Sequence, residues 1–419
     1  MELLRPSAFD ELSTVFDVSI VMPCLNEAQS LPHCIDNARA ALNQIEQRYG
    51  LSGEIVIADN GSTDGSQQLA LSFGARVVPV LRKGYGAAII GGFEAAHGRF
   101  LVMGDADGSY DFTDSVAMIG KLLDGVDLCM GSRFKGGIAS GAMPWKNRYI
   151  GNPALTGILN LFFRCGIEDA HCGLRAIRRE AFERLKLTGT GMEFASEMVI
   201  KSALLKQRIS EVPATLSPDL RRRAPHLRPW RDGWRHLRYL FMLSPLWVFA
   251  APAAIALAAA ALILVLATLH AFGLTGTIPF GESWIVIGAL LATVGYMAGI
   301  MAIASHLYGV REGYRLPHRG LIRMRRALSL ETCMIVGLGL IGVAVVGMLG
   351  VGTLWAHGGF AALASILPVA LAGTTGAIGF QTLLGGFLLA VIGGNEAEFL
   401  RDTGLTERCS AEASGRYAA

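Results

Sequence analysis

The sequence predicts an α/β domain with a mostly parallel, covered sheet, followed by an all-α domain of four transmembrane helices. Two observations carry this expectation. The 419 residues are 52% hydrophobic and only 17% charged, with a mean hydropathy of +0.42, too apolar for one soluble globule, and the excess lies after about Ser244. Before that point, short apolar runs alternate with helical stretches at the spacing of strand–helix units. The expected division is a first domain over 1–220, a basic amphipathic juxtamembrane segment over 221–244, a membrane domain over 245–392 and a tail over 393–419.

Taken in order, Val18 to Pro23 reads as the first strand, and Cys24-Leu25-Asn26-Glu27 leads into a helix ending near Gly50. A second strand, Glu54 to Ala58, runs into the polar turn Asp59 to Ser66, whose side chains suit a helix N-terminus. A short helix and the strand Ala75 to Val80 follow, and Arg82-Lys83-Gly84-Tyr85-Gly86 opens a helix over Ala87 to His97. The next apolar run ends in Asp105-Ala106-Asp107-Gly108-Ser109, and a further strand, Val126 to Gly131, ends in Ser132-Arg133. Each strand end thus delivers polar residues to one edge of the sheet, where an open α/β fold keeps a nucleotide. Neither a Gly-x-Gly-x-x-Gly nor a Walker lysine loop is present in the first domain, so a dinucleotide Rossmann domain and a P-loop ATPase are not indicated.

Asp105 and Asp107 stand one residue apart at the end of their strand, a spacing that turns both carboxylates to the same side. Two hard oxygen donors that leave most of a coordination shell free suit Mg²⁺ or Mn²⁺ when a diphosphate completes the shell. Gly108 permits a sharp turn directly afterwards.

The net charge of +3 says little; its distribution says more, because arginines crowd 221–238 and 311–326. Seven cysteines are scattered without a Cys-x-x-Cys pair and read as reduced thiols. His171-Cys172 has no second pair at metal spacing, which favours packing over zinc. Met1 to Asp17 carries acidic residues and no long apolar core, which does not read as a secretory signal, so the first domain is expected in the cytoplasm.

Six motifs in order, Pro23-x-x-Asn26-Glu27, Asp59-Asn60-Gly61-Ser62-Thr63-Asp64, Gly84-Tyr85-Gly86, Asp105-Ala106-Asp107, Gly131-Ser132-Arg133 and Asp169-x-x-Cys172-Gly173-Leu174-Arg175, resemble family 2 glycosyltransferases. The chain is most similar to the polyprenyl-phosphate hexose synthases, among them the dolichyl-phosphate mannose and dolichyl-phosphate glucose synthases, over roughly residues 17 to 220. The resemblance implies a GT-A domain with a mixed, mostly parallel sheet and an inverting transfer of one hexose from a nucleotide-diphosphate sugar. It places Pro23, Leu25, Asn26, Glu27, Asp59, Gly84, Asp105, Asp107 and Arg148 at the donor, with Glu27 and Asp59 on the base or ribose. It places Asp105, Asp107 and Ser109 at the metal. The donor is expected to be UDP-glucose, with GDP-mannose as the alternative, and the acceptor a polyprenyl (dolichyl or undecaprenyl) phosphate.

Glycosyl transfer passes through an oxocarbenium-like state while a diphosphate leaves, so the catalyst must neutralise charge on the leaving group. A phosphate acceptor, with a second pKa of about 6, is already largely anionic near neutrality and needs holding more than deprotonating. Arg133, Arg148 and Arg175 are the candidates to hold it. Glu193 and Glu197 fall four apart on one predicted helix face. Glu193 joins Asp107, Arg133 and Arg175 in the expected catalytic set, with a sugar-contacting role.

The segment Arg221 to Phe241 interleaves arginines with aromatics and abuts an apolar run, the pattern of an interfacial helix on anionic lipid rather than a nucleic-acid surface. Four runs can cross a bilayer: Leu246 to Leu269, Trp284 to His306, Cys333 to Leu354 and Ala362 to Val391. The link holding Arg311, Arg315, Arg319, Arg323, Arg325 and Arg326 is expected inside, which puts the first domain and the tail in the cytoplasm and the protein in the plasma or inner membrane. Glycines in the third and fourth spans predict close helix packing and a capacity for self-association. Two other readings are a transferase to a different lipid and a non-catalytic scaffold or lipid translocator; the Asp105–Asp107 pair speaks against the latter. A processive polysaccharide synthase lacks support, because no Gln-x-x-Arg-Trp follows.

Overall fold

The computed structural model describes residues 16–221, 229–276, 281–324 and 327–393. The N-terminal stretch 1–15, Arg222, Arg223, Arg228, Arg325, Arg326, Cys409 and the tail from 394 lie outside them. The chain divides into two compact units that meet between Leu243 and Ser244.

Among its described residues the first unit has seven strands: β1 (Val18–Cys24), β2 (Gly53–Asp59), β3 (Arg76–Pro79), β4 (Phe100–Met103), β5 (Leu128–Ser132), β6 (Arg175–Arg178) and β7 (Ile209–Pro213). Their spatial order is β3-β2-β1-β4-β6-β5-β7. Only β6 runs antiparallel to its neighbours β4 and β5. Both faces of β1 are buried, which is why it reads as a continuous apolar run rather than an alternating one. Register aligns Cys24 with Asp59 and Asp59 with Pro79, and Met103 with Arg175 and Arg175 with Met130. The C-terminal ends of the parallel strands therefore share one edge, and the loops that leave them converge there.

Among the described residues of this unit are nine helices: α1 (Leu31–Tyr49), α2 (Ser66–Ser72), α3 (Tyr85–Ala95), α4 (Ser115–Leu123), α5 (Arg133–Gly136), α6 (Asn152–Phe163), α7 (Arg179–Leu185), α8 (Phe194–Leu204) and α9 (Pro229–Met242). One core cluster joins Ile35, Ala38 and Ile45 of α1 and Ile119 and Leu122 of α4 to Ile20, Ile57 and Val102 of the sheet. Burying each such branched side chain contributes ~1.5–3 kcal/mol. α1 stops where Gly50 turns left-handed and its N–H returns to the Glu46 carbonyl. Phe93 of α3 meets Phe182 of α7 edge-on at 5.1 Å.

The second unit contains α10 (Ala251–Ala271), α11 (Glu282–Arg311), α12 (Arg319–Arg323), α13 (Leu330–His357) and α14 (Leu367–Ile392). Among the described residues, four helices are long and apolar enough to cross a membrane, the first counted over Leu246–Ala271 with its opening π turn. The fourth starts at Leu367 rather than at Ala362 as expected, because Pro368 has no N–H to donate and is accommodated in a first turn. α13 and α14 touch through Gly337 and Gly379: a Cβ on either would come within 2.8 or 2.9 Å of the other's carbonyl oxygen. Gly339, Gly342 and Gly350, by contrast, face open space. Tyr296 of α11 hydrogen-bonds Thr382 of α14 at 2.7 Å.

Candidate active site

The loop after β1 is held by the turn after β2. Asn26, in a left-handed conformation (φ 59°), accepts from the Thr63 N–H at 2.8 Å, and its own N–H donates to Ser62 Oγ at 2.9 Å. The Glu27 N–H donates to Ser66 Oγ at 3.0 Å, and the Ala28 N–H to Asp64 at 2.9 Å. Asp59 accepts from the N–H groups of Gly61 and Ser62 and from Gln67 at 2.6 Å. Asn26, Asp59 and Asp64 thus shape the rim of the cleft through their own hydrogen bonds. Pro23 sits in β1 opposite Ala58, Leu25 is exposed on the loop, and Glu27 is buried.

Gly84 opens α3 at φ 128°, and a Cβ there would lie 2.1 Å from the Thr190 carbonyl oxygen. Only glycine tolerates both conditions. Its N–H is caught by Asn60 Oδ1 at 2.8 Å, and Asn60 also ties down the carbonyls of Val80 and Arg82. This delivers Tyr85 to the edge, where its phenol hydrogen-bonds Asp105.

Asp105 and Asp107 follow β4 as expected. Burial first, and then the charge of Asp107, push the Asp105 carboxyl up to about 6 against the lowering effect of Tyr85, Arg221 and Arg133. Asp107 accepts from Ser109 twice, from its N–H at 3.0 Å and its Oγ at 2.6 Å. Ser109, expected at the metal, here orients the carboxylate. The other oxygen of Asp107 pairs with Arg221, whose Nε lies 3.3 Å from Glu27 Oε2. A guanidinium therefore sits where carboxylates from two loops converge, the behaviour of a cation-attracting centre. Asp105 and Asp107 supply the hard oxygen donors that Mg²⁺ or Mn²⁺ takes.

Two of the arginines expected on phosphate have their guanidinium groups engaged within the fold. Arg133 is 7% exposed and spends Nε and Nη2 on Asp169, at 2.7 Å each. Arg175 is 1% exposed, with its guanidinium on the carbonyls of Cys172, Ala195 and Ala170 at 2.7–2.9 Å. Both brace the loop 169–174 from inside the fold, because a buried cation must satisfy its donors there. Arg148 lays its guanidinium over the ring of Tyr149, 5.5 Å from the centroid. Glu193 accepts from the Gly191 N–H at 2.9 Å. Glu197 is fully buried, accepts from Gly189 N–H at 2.7 Å and pairs with Lys201 at 2.7 Å. His171 is packed against His236 with centroids 4.9 Å apart; burial, then His236, Arg133 and Arg175, hold it well below the usual histidine range.

Sequence reasoning missed Tyr85 and Arg221 as carboxylate partners. Tyr85 lay inside a quoted motif, and Arg221 was one of many arginines with nothing local to mark it. A cavity of about 590 Å³ lined by Arg39, Glu54, Arg76 and His97 opens at the opposite edge of the sheet and has no part in this constellation.

Comparison with known proteins agrees with this architecture. The family model described as Glycosyl transferase family 2 matches residues 19–186, and the Glycosyltransferase family 2 C-terminal transmembrane region matches residues 303–393. Over 398 residues the chain is 34% identical to the low-salt glycan biosynthesis hexosyltransferase Agl6 of Haloferax volcanii, covering 94% of this chain and 92% of that protein. It is 29% identical over 201 residues to a dolichyl-phosphate hexose transferase of the same organism, covering 48% of this chain and 82% of that one. It is 28% identical over 232 residues to a dolichol-phosphate mannosyltransferase of Pyrococcus furiosus, covering 54% and 63%. A GT-A-like sheet with its carboxylates at the strand ends, both family regions in their order and near end-to-end similarity to a hexosyltransferase lead to one conclusion: the chain belongs to glycosyltransferase family 2 and is a membrane-bound transferase.

Proposed function

We propose that the protein transfers a hexose, with inversion, from a nucleotide-diphosphate sugar to a polyprenyl phosphate at the cytoplasmic face of the membrane. The observation that carries the reading is the Asp105–Asp107 pair with a guanidinium laid on it, at the strand-end edge of a sheet whose chain continues into membrane helices. UDP-glucose is the preferred donor and GDP-mannose the alternative. The relatives named for dolichyl-phosphate hexose transfer and dolichol-phosphate mannose transfer support a lipid-phosphate acceptor. The arginines between α11 and α13 support the cytoplasmic orientation.

In this reading Asp105 and Asp107 would hold Mg²⁺ or Mn²⁺, which would supply charge neutralisation for a departing diphosphate. Ser109 fixes the rotamer of Asp107, and Tyr85 holds Asp105 from the other side. Glu27, Leu25 and the Asn26–Thr63 bridge frame the nucleoside end of the cleft. Arg221 adds a second positive charge, and Arg133 and Arg175 keep the neighbouring loop rigid. The acceptor brings its own anionic oxygen, so no strong base is required.

The deciding experiment is transfer of radiolabelled sugar to polyprenyl phosphate in membranes carrying the protein, with UDP-glucose and GDP-mannose in parallel, with and without divalent cation. A cation-dependent organic-soluble product from one donor, lost in Asp107→Ala, is expected. No product from either donor, with purified protein still binding a nucleotide sugar, would reject the polyprenyl-phosphate acceptor.

A further inference from the structure

The carbonyl oxygens of the loop 189–191 dictate the glycines on either side of Tyr85. A Cβ at Gly84 would lie 2.1 Å from the Thr190 oxygen, and one at Gly86 would lie 2.2 Å from the Gly189 oxygen and 2.9 Å from that of Gly191. A side chain at either position would push the loop away. The Thr190 oxygen also accepts the Ala87 N–H at 3.2 Å. Both neighbours of Tyr85 are thus pressed against this loop, and where the phenol meets Asp105 follows from where the loop stands.

One carboxylate holds the loop. Glu197 of α8 is fully buried and accepts from the N–H groups of Thr188 and Gly189 at 3.1 and 2.7 Å and from the Thr188 hydroxyl at 3.2 Å. Lys201, one turn further along α8, pairs with Glu197 at 2.7 Å and donates to the Lys186 carbonyl at 2.7 Å, which fixes the root of the loop as well. The phenol of Tyr239, on α9, hydrogen-bonds the same carboxylate. Next to Glu197, α9 is also keyed to α8 where Ser196 Oγ and His236 Nδ1 lie 2.8 Å apart. Replacing a buried ion pair by apolar residues of the same volume often costs no stability, so stability alone does not call for Glu197 and Lys201 here. Hydrogen bonds to two successive N–H groups fix the direction of a loop, which apolar packing does not.

We propose that Glu197 is a positioning residue for the transfer reaction: through the loop 188–191 it sets where Tyr85 meets Asp105, and through Tyr239 it ties that setting to the seat of α9. The inference deepens the reading of the carboxylate pair given above and rests on it. Glu197 touches neither the carboxylates nor a substrate; it acts through Thr190, Gly84 and Tyr85 in turn. α9 ends at Met242 and the first apolar span begins at Leu246. The helix that leads toward the membrane and the carboxylates at the strand ends therefore belong to one chain of contacts.

Removing the carboxylate itself would break a buried ion pair, so the test uses two milder variants of the full chain in detergent. Thr188→Val and Tyr239→Phe each take one donor from Glu197 and keep the shape. Each should lower the turnover of hexose transfer about fivefold, the worth of one hydrogen bond. Added to Tyr85→Phe, either should lower it by less than about twofold more, because residues that act through one another are not additive. Ser196→Ala is the control: it takes a hydrogen bond from α9 outside this chain of contacts, so the thermal midpoint should fall as much while turnover stays near wild type. Independent losses in the double variants would overturn the proposal, as would a Ser196→Ala turnover as low as theirs. Hydrogen exchange needs no turnover. Thr188→Val should speed amide exchange over residues 84–89 about fivefold, again the worth of one hydrogen bond, and Ser196→Ala should leave it unchanged. Exchange that reaches 84–89 in a protein that transfers no hexose supports the positioning and rejects the reaction assigned above. Exchange confined to 186–191 overturns the positioning whatever the activity.

Discussion

The guanidinium of Arg221 lies on the carboxylate of Asp107 across 114 residues of sequence. The strap that carries it is tied to the same loop: Leu220 N–H donates to the Asp107 carbonyl and Ser217 N–H to the Ser109 carbonyl, each at 2.9 Å. The chain therefore brings its own cation to the centre where a divalent metal is proposed, and the two must share one carboxylate. Opposed charges this close to Asp105 make the arginine a competitor in the empty cleft and a partner once a diphosphate arrives.

Arg221→Ala accordingly should tighten Mn²⁺ binding about tenfold in the absence of nucleotide, since a competing charge-assisted contact worth ~1–2 kcal/mol is gone. Turnover should fall, because the same arginine then fails to support the leaving diphosphate. A Mn²⁺ titration followed by calorimetry checks the first half independently of activity. Unchanged or weaker Mn²⁺ binding would mean that arginine and metal do not share Asp107.

Arg133→Ala should act on the fold. The Arg133–Asp169 pair is bidentate and buried, and Asp169 also takes the Arg133 N–H at 3.1 Å. Removing one partner strands a buried carboxylate at a cost of ~3–5 kcal/mol. Thermal unfolding of the detergent-solubilised protein should show a large drop in midpoint, with Asp169→Asn behaving similarly. A normal midpoint with only the acceptor KM raised would return Arg133 to the phosphate-holding role expected from sequence.

These two arginines mark where the sequence was legible and where it was not. β1, β2 and β4 announced themselves as apolar runs, whereas β7 (Ile209-Ser-Glu-Val-Pro213), also parallel, did not. Asp105 and Asp107 stood out because they fall in an ordered set of motifs, an isolated Asp-x-Asp being most often a polar turn. β6 gave no such signal: Arg175-Ala-Ile-Arg178 is four residues long and charged at both ends, and it becomes a strand only because β4 and β5 flank it. The same context turns Arg175 inward. An arginine's chemistry can be read from sequence, but its direction depends on which backbone carbonyls the fold leaves unsatisfied nearby. Arg221 escaped for the complementary reason, since it lies in an arginine-rich run whose members look alike until the strap is laid across the site.

Acid should weaken the first unit through Glu54. This buried carboxylate accepts from Ser19 Oγ at 2.7 Å, His97 N–H at 2.6 Å and Arg76 Nε at 2.9 Å. Burial alone would raise its pKa, but these hydrogen bonds and the Arg76 charge outweigh burial and hold it below its ordinary 4.5. A depressed native pKa contributes stability that is complete above 4.5 and is lost as pH falls through the lower native value. Glu54→Gln should therefore lower the thermal midpoint at pH 7, and the gap to wild type should close as pH drops below about 4.5. A gap independent of pH would show that the carboxylate's charge contributes nothing.

Gly84 and Tyr85 divide sterics from chemistry at adjacent positions. A methyl at Gly84 would meet the Thr190 carbonyl oxygen at 2.1 Å in a backbone conformation that L residues rarely adopt, so Gly84→Ala must push the loop 189–191 and the start of α3 apart. The expected cost is ~2–4 kcal/mol of stability, with loss of activity because Tyr85 is carried off Asp105. Tyr85→Phe keeps the shape and removes only the phenolic donor. Its thermal midpoint should stay near wild type while turnover falls about tenfold, because Asp105 loses the hydrogen bond that favours its ionised form. If Tyr85→Phe is as active as wild type, the phenol serves packing alone; if it unfolds as readily as Gly84→Ala, the hydrogen bond is part of the fold and not of the site.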